Sequence, residues 1–431
     1  MQTDLFRNYI LLAVQTMYDI VAIGRDPVYP PVHGGMYGSY AVLNAISRYA
    51  NSVVYICSSP HATREIKINE RFDVIEIKQQ KISIIKRKIL SAGTKISLVY
   101  PNRPLMNECF YLAHKELREC AYQKIKQSQK PVIYFDFPGG HMSFLRNCTK
   151  YLKILRAHNI ELSYALAYHG TGTWWREKIT RWVLKKLEGE FANHCDLIFT
   201  LAPEDSLFFE QYYKIPKEKI VLIPPPFDTT AIPVPTKEEK KAIKEGIHKS
   251  SRIIAVFMEG GIRDQKKKDF YIRLDNLLTN CGKKNPNVDF IVMGRVCEML
   301  NVKLPNVKLL GVVDNPTKEK YLMAADFALN PAQAGVGISI KMLDYMAHGL
   351  PVIATKEGCR GTMAKDGESA VIRDFDSFPD GIEYLLSDEK RMCKIGQNAR
   401  KIIEQYFDID MVGKKAIEAI DSAYNKKFGQ R

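Results

Sequence analysis

Short, nearly unbroken apolar runs alternate along most of the chain with stretches whose apolar residues recur at helical spacing. Runs of about four to seven apolar residues bounded by turn residues are the signature of strands buried on both faces of a parallel sheet. In the first half these runs predict strands at Asp19–Gly24, Ser52–Cys57, Pro131–Phe135, Leu162–Tyr168, Leu197–Thr200 and Lys219–Ile223. In the second half they fall at Ile253–Met258, Val288–Met293, Val307–Leu310, Phe327–Leu329 and Pro351–Thr355. Strands separated by helical patterns imply crossover units, so each half is expected to be a doubly wound α/β sheet. Between the halves stand Pro224, Pro225 and Pro226, then Phe227-Asp228, Pro233 and Pro235. Prolines donate to no ladder, which makes this stretch a stiff connection.

Composition agrees with that division. The 431 residues suffice for two domains of about 200 residues, and 46% apolar with 26% charged residues is the balance of an ordinary soluble globular protein. No apolar run approaches the roughly 18 residues of a membrane-spanning helix. The N-terminal run Tyr9–Val14, bracketed by Asp4, Arg7 and Asp19, is too short for a signal peptide and lacks a cleavage site. The nine cysteines are odd in number, scattered and free of any CxxC pair, so reduced thiols in a reducing compartment are expected. A net charge of +15 points to an anionic partner without choosing among a phosphate ligand, a membrane and a nucleic acid. The basic residues carry no recognisable nucleic-acid-binding motif, and no nucleic-acid partner is expected.

Ligands of open α/β sheets bind beyond the carboxyl ends of the strands. After the first strand, Gly34-Gly35 precede a helical stretch predicted over Tyr40–Tyr49, where paired glycines let backbone approach an anion. After Leu162–Tyr168 stands His169, followed by Gly170-Thr171-Gly172. After Ile253–Met258 comes a loop with Arg263 and Lys268, a guanidinium fork and a point charge suited to a diphosphate. The most informative stretch runs from Gly335 to Pro351. Ser339 is placed to cap a short helix, Gly349 to stop it and Pro351 to start the next strand. Gly337, Ile338 and Ser339 would then present N–H groups to a phosphate, and Asp344 lies off the apolar face made by Met342, Leu343 and Met346. Its bland alternative partner is Lys341, three residues earlier.

Taken together, these residues resemble glycosyltransferase family 4, retaining nucleotide-sugar transferases of the GT-B fold. The Gly34-Gly35 loop, His169, Lys186-Leu187-Glu188, Cys195–Thr200, Lys219–Pro224, the Arg263-x4-Lys268 pair, Gly311-Val312-Val313, Ala325-Asp326 and Lys341–Thr355 follow in the family's order. The resemblance implies two Rossmann-like domains facing across a cleft: 1–228 on the acceptor side, 229–408 holding the nucleotide sugar, and a helix over 409–431 returning to the first. It implies that His169, Arg263 and Lys268 serve catalysis, that Gly34, Gly35, Gly337, Ile338, Ser339 and Asp344 bind substrate, and that neither cofactor nor metal is needed. Two departures stand out. The first of the family's two glutamates falls on Val336, and the second is Asp344.

The implied reaction moves a sugar from a nucleoside-diphosphate donor to a glycan or lipid-linked acceptor, as in cell-surface polysaccharide or glycolipid synthesis. Two other readings stay open: another GT-B enzyme, such as an epimerase or inverting transferase, and a non-catalytic nucleotide-sugar or lipid-binding subunit. Seven basic residues and no acidic one between Lys78 and Arg103, and Trp174, Trp175 and Trp182 among further basic residues, suit an anionic membrane surface. A cytoplasmic protein, peripheral on the inner face of the membrane, is therefore expected.

Overall fold

The computed structural model describes residues 18–78, 115–138, 142–163, 174–248, 252–260, 268–333 and 337–429. The chain forms two compact units. The first runs to Pro226 and resumes at Ile409, and the second is Phe227–Asp408.

The first unit is built on an eight-stranded sheet of order β3-β4-β2-β1-β5-β6-β7-β8. Its strands are β1 (Asp19–Ile23), β2 (Ser52–Ser59), β3 (Arg64–Asn69), β4 (Phe72–Lys78), β5 (Pro131–Phe135), β6 (Leu152–Ala157), β7 (Leu197–Thr200) and β8 (Ile220–Leu222). All neighbours are parallel except β3, an edge strand that folds back on β4. The helices are α1 (Gly34–Ser47), α2 (Lys115–Gln127), α3 (Met142–Asn147), α4 (Trp174–His194) and α5 (Pro203–Gln211). Period-two alternation splits β1 between the two faces: Val21 and Ile23 join one buried cluster with Leu117, Ile133 and Phe191, while Ile20 and Ala22 join another with Val42 and Ile46. Each buried aliphatic side chain of this kind contributes about 1.5–3 kcal/mol.

The second unit holds a wholly parallel six-stranded sheet of order β11-β10-β9-β12-β13-β14. Its strands are β9 (Ile253–Met258), β10 (Val288–Met293), β11 (Val307–Gly311), β12 (Phe327–Asn330), β13 (Val352–Ala354) and β14 (Val371–Ile372). Around it lie α6 (Lys237–His248), α7 (Lys268–Lys284), α8 (Asn315–Ala324), α9 (Ile340–Ala347), α10 (Phe378–Leu386) and α11 (Glu389–Tyr406). The last helix, α12 (Ile409–Phe428), belongs to the first unit, where Val412, Ala416, Ile417 and Ile420 complete the cluster around Ile20.

One predicted strand is corrected. Leu162 and Ser163 are helical, and the strand following α3 is β6, ten residues earlier. Lys153 and Arg156 interrupt its apolar run, yet every residue of β6 is buried. The Arg156 guanidinium is sheltered by donating to the Gly38 carbonyl of α1. A second correction concerns α1, which begins at Gly34 and not at Tyr40, so the paired glycines are its first turn.

Candidate functional site

In the second unit, residues at and just beyond the carboxyl ends of β9, β12 and β13 hydrogen-bond to α9 and the residues that lead into it. Gly337 has φ of 74°, the left-handed region that a side chain resists, and turns the chain into Ser339 at the N-cap. Ser339 makes no capping bond to the helix. Its hydroxyl oxygen instead accepts from Asn330 Nδ2 at 3.2 Å, which leaves the hydroxyl proton available as a donor. No acidic residue stands in the first turn of α9, so no side chain of that turn offsets the positive end of its dipole. Gly349, with φ of 67°, ends the helix. Tyr345, buried on α9, accepts the Met258 N–H at 2.7 Å and ties the helix to the end of β9.

Asp344 faces Lys318 of α8 at 2.9 Å and not its helical neighbour Lys341. Lys341 pairs with Glu259, beyond the end of β9. Lys318 also meets Glu319 at 2.9 Å, and Glu319 accepts from His348 Nε2 at 2.7 Å. Burial raises the Glu319 carboxyl, but the His348 hydrogen bond and the Lys318 charge outweigh it and bring the pKa down to about 2. Burial lowers His348, and its bond to Glu319 with the Asp344 charge raises it above the usual imidazole value. Glu319, Asp344 and His348 present ligand atoms within 4.8 Å of one another, as a metal would require. The Lys318 ammonium already supplies the positive charge between the two carboxylates.

In the first unit, α1 opens on Gly34 with His33 at its N-cap, where the ring Nδ1 accepts the Met36 N–H at 3.3 Å. One turn on, Ser39 Oγ donates to Asp136 Oδ2 at 2.6 Å, just beyond the end of β5. Asp136 Oδ1 lies 2.9 Å from Nε2 of His158, which follows β6. A carboxylate only accepts, so Nε2 carries the ring proton and Nδ1 is the acceptor. Phe137 stacks on the imidazole with centroids 4.3 Å apart. Burial raises the Asp136 carboxyl, but the charges of His158 and Arg156 and the His158 hydrogen bond hold it below the ordinary range. Burial pulls His158 below its ordinary value, outweighing the charge of Asp136, which raises it.

The residues expected from the sequence divide accordingly. Gly34 and Gly35 form the first turn of α1, and Gly337, Ile338, Ser339 and Asp344 are brought together around α9. His169, Arg263 and Val336 lie outside the described residues, as does all of the Lys78–Arg103 segment after Lys78. Lys268 starts α7, with its side chain outside the description. Sequence reasoning missed Asp136, His158, Lys318, His348 and Arg360. The available signal for the first two was a polar residue directly after each buried strand.

The architecture is that of GT-B glycosyltransferases. Sucrose-phosphate synthase from Thermosynechococcus elongatus superposes with a TM-score of 0.68 at 14% identity, covering 95% of this chain and 100% of that one. Anabaena HepE in complex with UDP-glucose gives 0.61 at 15% identity, covering 94% and 99%. A glycosyltransferase from Rickettsia africae gives 0.61 at 14% identity, covering 96% and 100%. Residues 255–388 match the family model described as glycosyl transferases group 1, a span lying wholly within the second unit and including α9 with Asp344. A search of the curated proteins gives no match.

Proposed function

We propose that this protein is a GT-B glycosyltransferase that moves a sugar from a nucleoside-diphosphate donor to a glycan or lipid-linked acceptor, with retention of anomeric configuration. The observation that carries the reading is the uncapped pole of α9 behind left-handed Gly337, with Asp344 on the same helix. The group 1 match over this span supports it. Departure of the nucleoside diphosphate concentrates negative charge on its phosphates. Arg263, Lys268 and the N–H groups of Ile338 and Ser339 would stabilise that charge most in the transition state, so the reaction is expected to need no metal. Asp344 would bind the ribose hydroxyls, its carboxylate already fixed by Lys318.

The test is release of nucleoside diphosphate from UDP-, GDP- and dTDP-sugars with EDTA present, followed by product analysis. An altered sugar without an acceptor would identify an epimerase, and no turnover of any donor would favour a binding subunit. Asp344→Asn should raise the donor KM more than it lowers kcat, because a ribose contact serves ground and transition states alike. A fall in kcat at unchanged KM would move Asp344 to the reacting centre.

For the acceptor side we propose a lipid-linked sugar at an anionic, cytoplasmic membrane face. Lys178, Arg181, Trp182 and Lys185 are exposed along one side of α4, at spacings that share a helical face. Salt-sensitive binding to anionic vesicles, lost on Lys178/Arg181/Lys185→Glu, is the expected result, each cation contributing about 1 kcal/mol. Equal binding to neutral vesicles would leave a soluble acceptor as the better account. Among the described residues no helix is long and apolar enough to cross a membrane.

A further inference from the structure

The loop that leads into α9 is held from the side by the turn that follows β13. Gly358 N donates to Thr355 Oγ1 at 3.0 Å and Cys359 N to Thr355 O at 3.1 Å, while the buried Thr362 hydroxyl closes on Cys359 O at 2.7 Å. Thr355 Oγ1 in turn donates to Ala332 O, at the start of the α9 loop. Asn330, fully buried at the end of β12, donates to Gly358 O at 2.9 Å and to Ser339 Oγ at 3.2 Å, joining the turn to the N-cap. The approach is close enough that a Cβ on Gly358 would stand 2.7 Å from Asn330 O. From this rigid turn Arg360 Nη1 donates to the carbonyl of Gly337.

That bond has a directional consequence. The Gly337–Ile338 peptide is planar and trans, so its carbonyl and the Ile338 N–H point in opposite directions. A guanidinium that anchors the carbonyl therefore aims the Ile338 N–H away from the 355–362 turn. Gly337, alone in tolerating φ of 74° without strain, is what allows the peptide to sit this way round. A charge-assisted bond to a backbone carbonyl is about twice as strong as a neutral one, which suits it to holding a peptide against rotation.

We propose that Arg360 is a positioning residue that fixes the Gly337–Ile338 peptide so that its N–H serves as a diphosphate donor, an inference that rests on the nucleotide-sugar reading of the same loop. Arg360 acts through the peptide, and its loss should be felt by the phosphates of a ligand and not by the nucleoside. The orientation itself does not depend on any ligand.

Two measurements on the full chain separate these claims. In amide-resolved NMR without ligand, Arg360→Ala should shift the Ile338 and Ser339 amides while those of Val352–Ala354 stay in place, and Gly337→Ala should shift the same two. Unmoved Ile338 and Ser339 amides in Arg360→Ala overturn the proposal, whatever the protein binds. In calorimetric titration, Arg360→Ala should weaken UDP binding tenfold or more and leave uridine within twofold. The Arg360→Ala/Gly337→Ala double variant should be no weaker than the worse single variant, since both act on one peptide. Additive losses would mean that Arg360 touches the phosphate directly, and a matching loss for uridine would mean general deformation; either result overturns the positioning role. Arg360→Lys, which keeps the charge, should retain only part of the UDP affinity, because a freely rotating ammonium on a flexible stem holds the Gly337 carbonyl less rigidly than the planar guanidinium. Shifted amides in a protein that binds neither UDP, GDP nor ADP would uphold the peptide's orientation and refute the nucleotide-sugar reading.

Discussion

Asp136→Ala should lower the unfolding free energy by about 3–5 kcal/mol, the cost of stripping one partner from a buried charge cluster. Asp136 and Arg156 are both fully buried, and the carboxylate is the negative charge beside that guanidinium and the acceptor for Ser39 and His158. With Asp136 removed, Arg156 keeps its bond to Gly38 but loses the charge that compensates its burial. Against a total stability of about 5–15 kcal/mol for an ordinary domain, the loss is large. Urea unfolding followed by a probe in the first unit measures it. The double variant Asp136→Ala/Arg156→Met should recover much of the loss, because it removes both charges and keeps most of the volume. A loss under about 1 kcal/mol, or no recovery in the double variant, would show that the cluster is not electrostatically coupled.

Arg263→Ala and Lys268→Ala should each cut turnover by about a hundred- to a thousandfold, or about 3–4 kcal/mol, which is the typical loss on removing one donor to a transition-state oxyanion. Both residues follow β9 in the sequence and neither belongs to its buried run Ile254–Phe257, so both variants are expected to fold. The diphosphate carries more charge as it departs than while it is bound to the sugar. The loss should therefore fall on kcat more than on donor KM. Stopped nucleotide-release assays on folded variants decide the matter: kinetics within about threefold of wild type in both would remove the pair from the mechanism, leaving the α9 pole to act alone.

How much could be read in advance depends on where each interaction closes. β5 and β9 are uninterrupted apolar runs, and β7 and β10 depart from that only at Thr200 and Asp289, so their limits were visible as buried strands. β6 was not, because Lys153 and Arg156 look like surface residues until α1 brings the Gly38 carbonyl over the strand. β3, β4 and β14 were also missed: β3 is an exposed edge strand whose only apolar residues, Ile66 and Ile68, are half-buried, Asp73 and Glu76 break the apolar run of β4, and β14 is two residues long. In the site, the Gly337–Gly349 helix was legible because cap, stop and period are local signals. Its supports were not. Lys318 reaches Asp344 across 26 positions and Arg360 reaches Gly337 across 23, and neither separation leaves a trace in local spacing. For Asp344 the sequence offered Lys341 as a partner, while in the folded chain Lys341 is drawn to Glu259 on the neighbouring loop. Asp136 and His158 meet because β5 and β6 are paired neighbours in the sheet, with α1 reaching Asp136 through Ser39.

Thermal unfolding of the purified protein across UDP-, GDP- and dTDP-sugars tests the central claim, that the second unit binds a nucleotide sugar at the pole of α9. A ligand at a hundred times its dissociation constant stabilises the folded state by about 2.7 kcal/mol, a shift of several degrees for a domain of this size. Such a shift is expected with one nucleotide series, with a smaller shift for the free diphosphate of the same base and none for the sugar alone. Unchanged melting with every donor at millimolar concentration would contradict that claim.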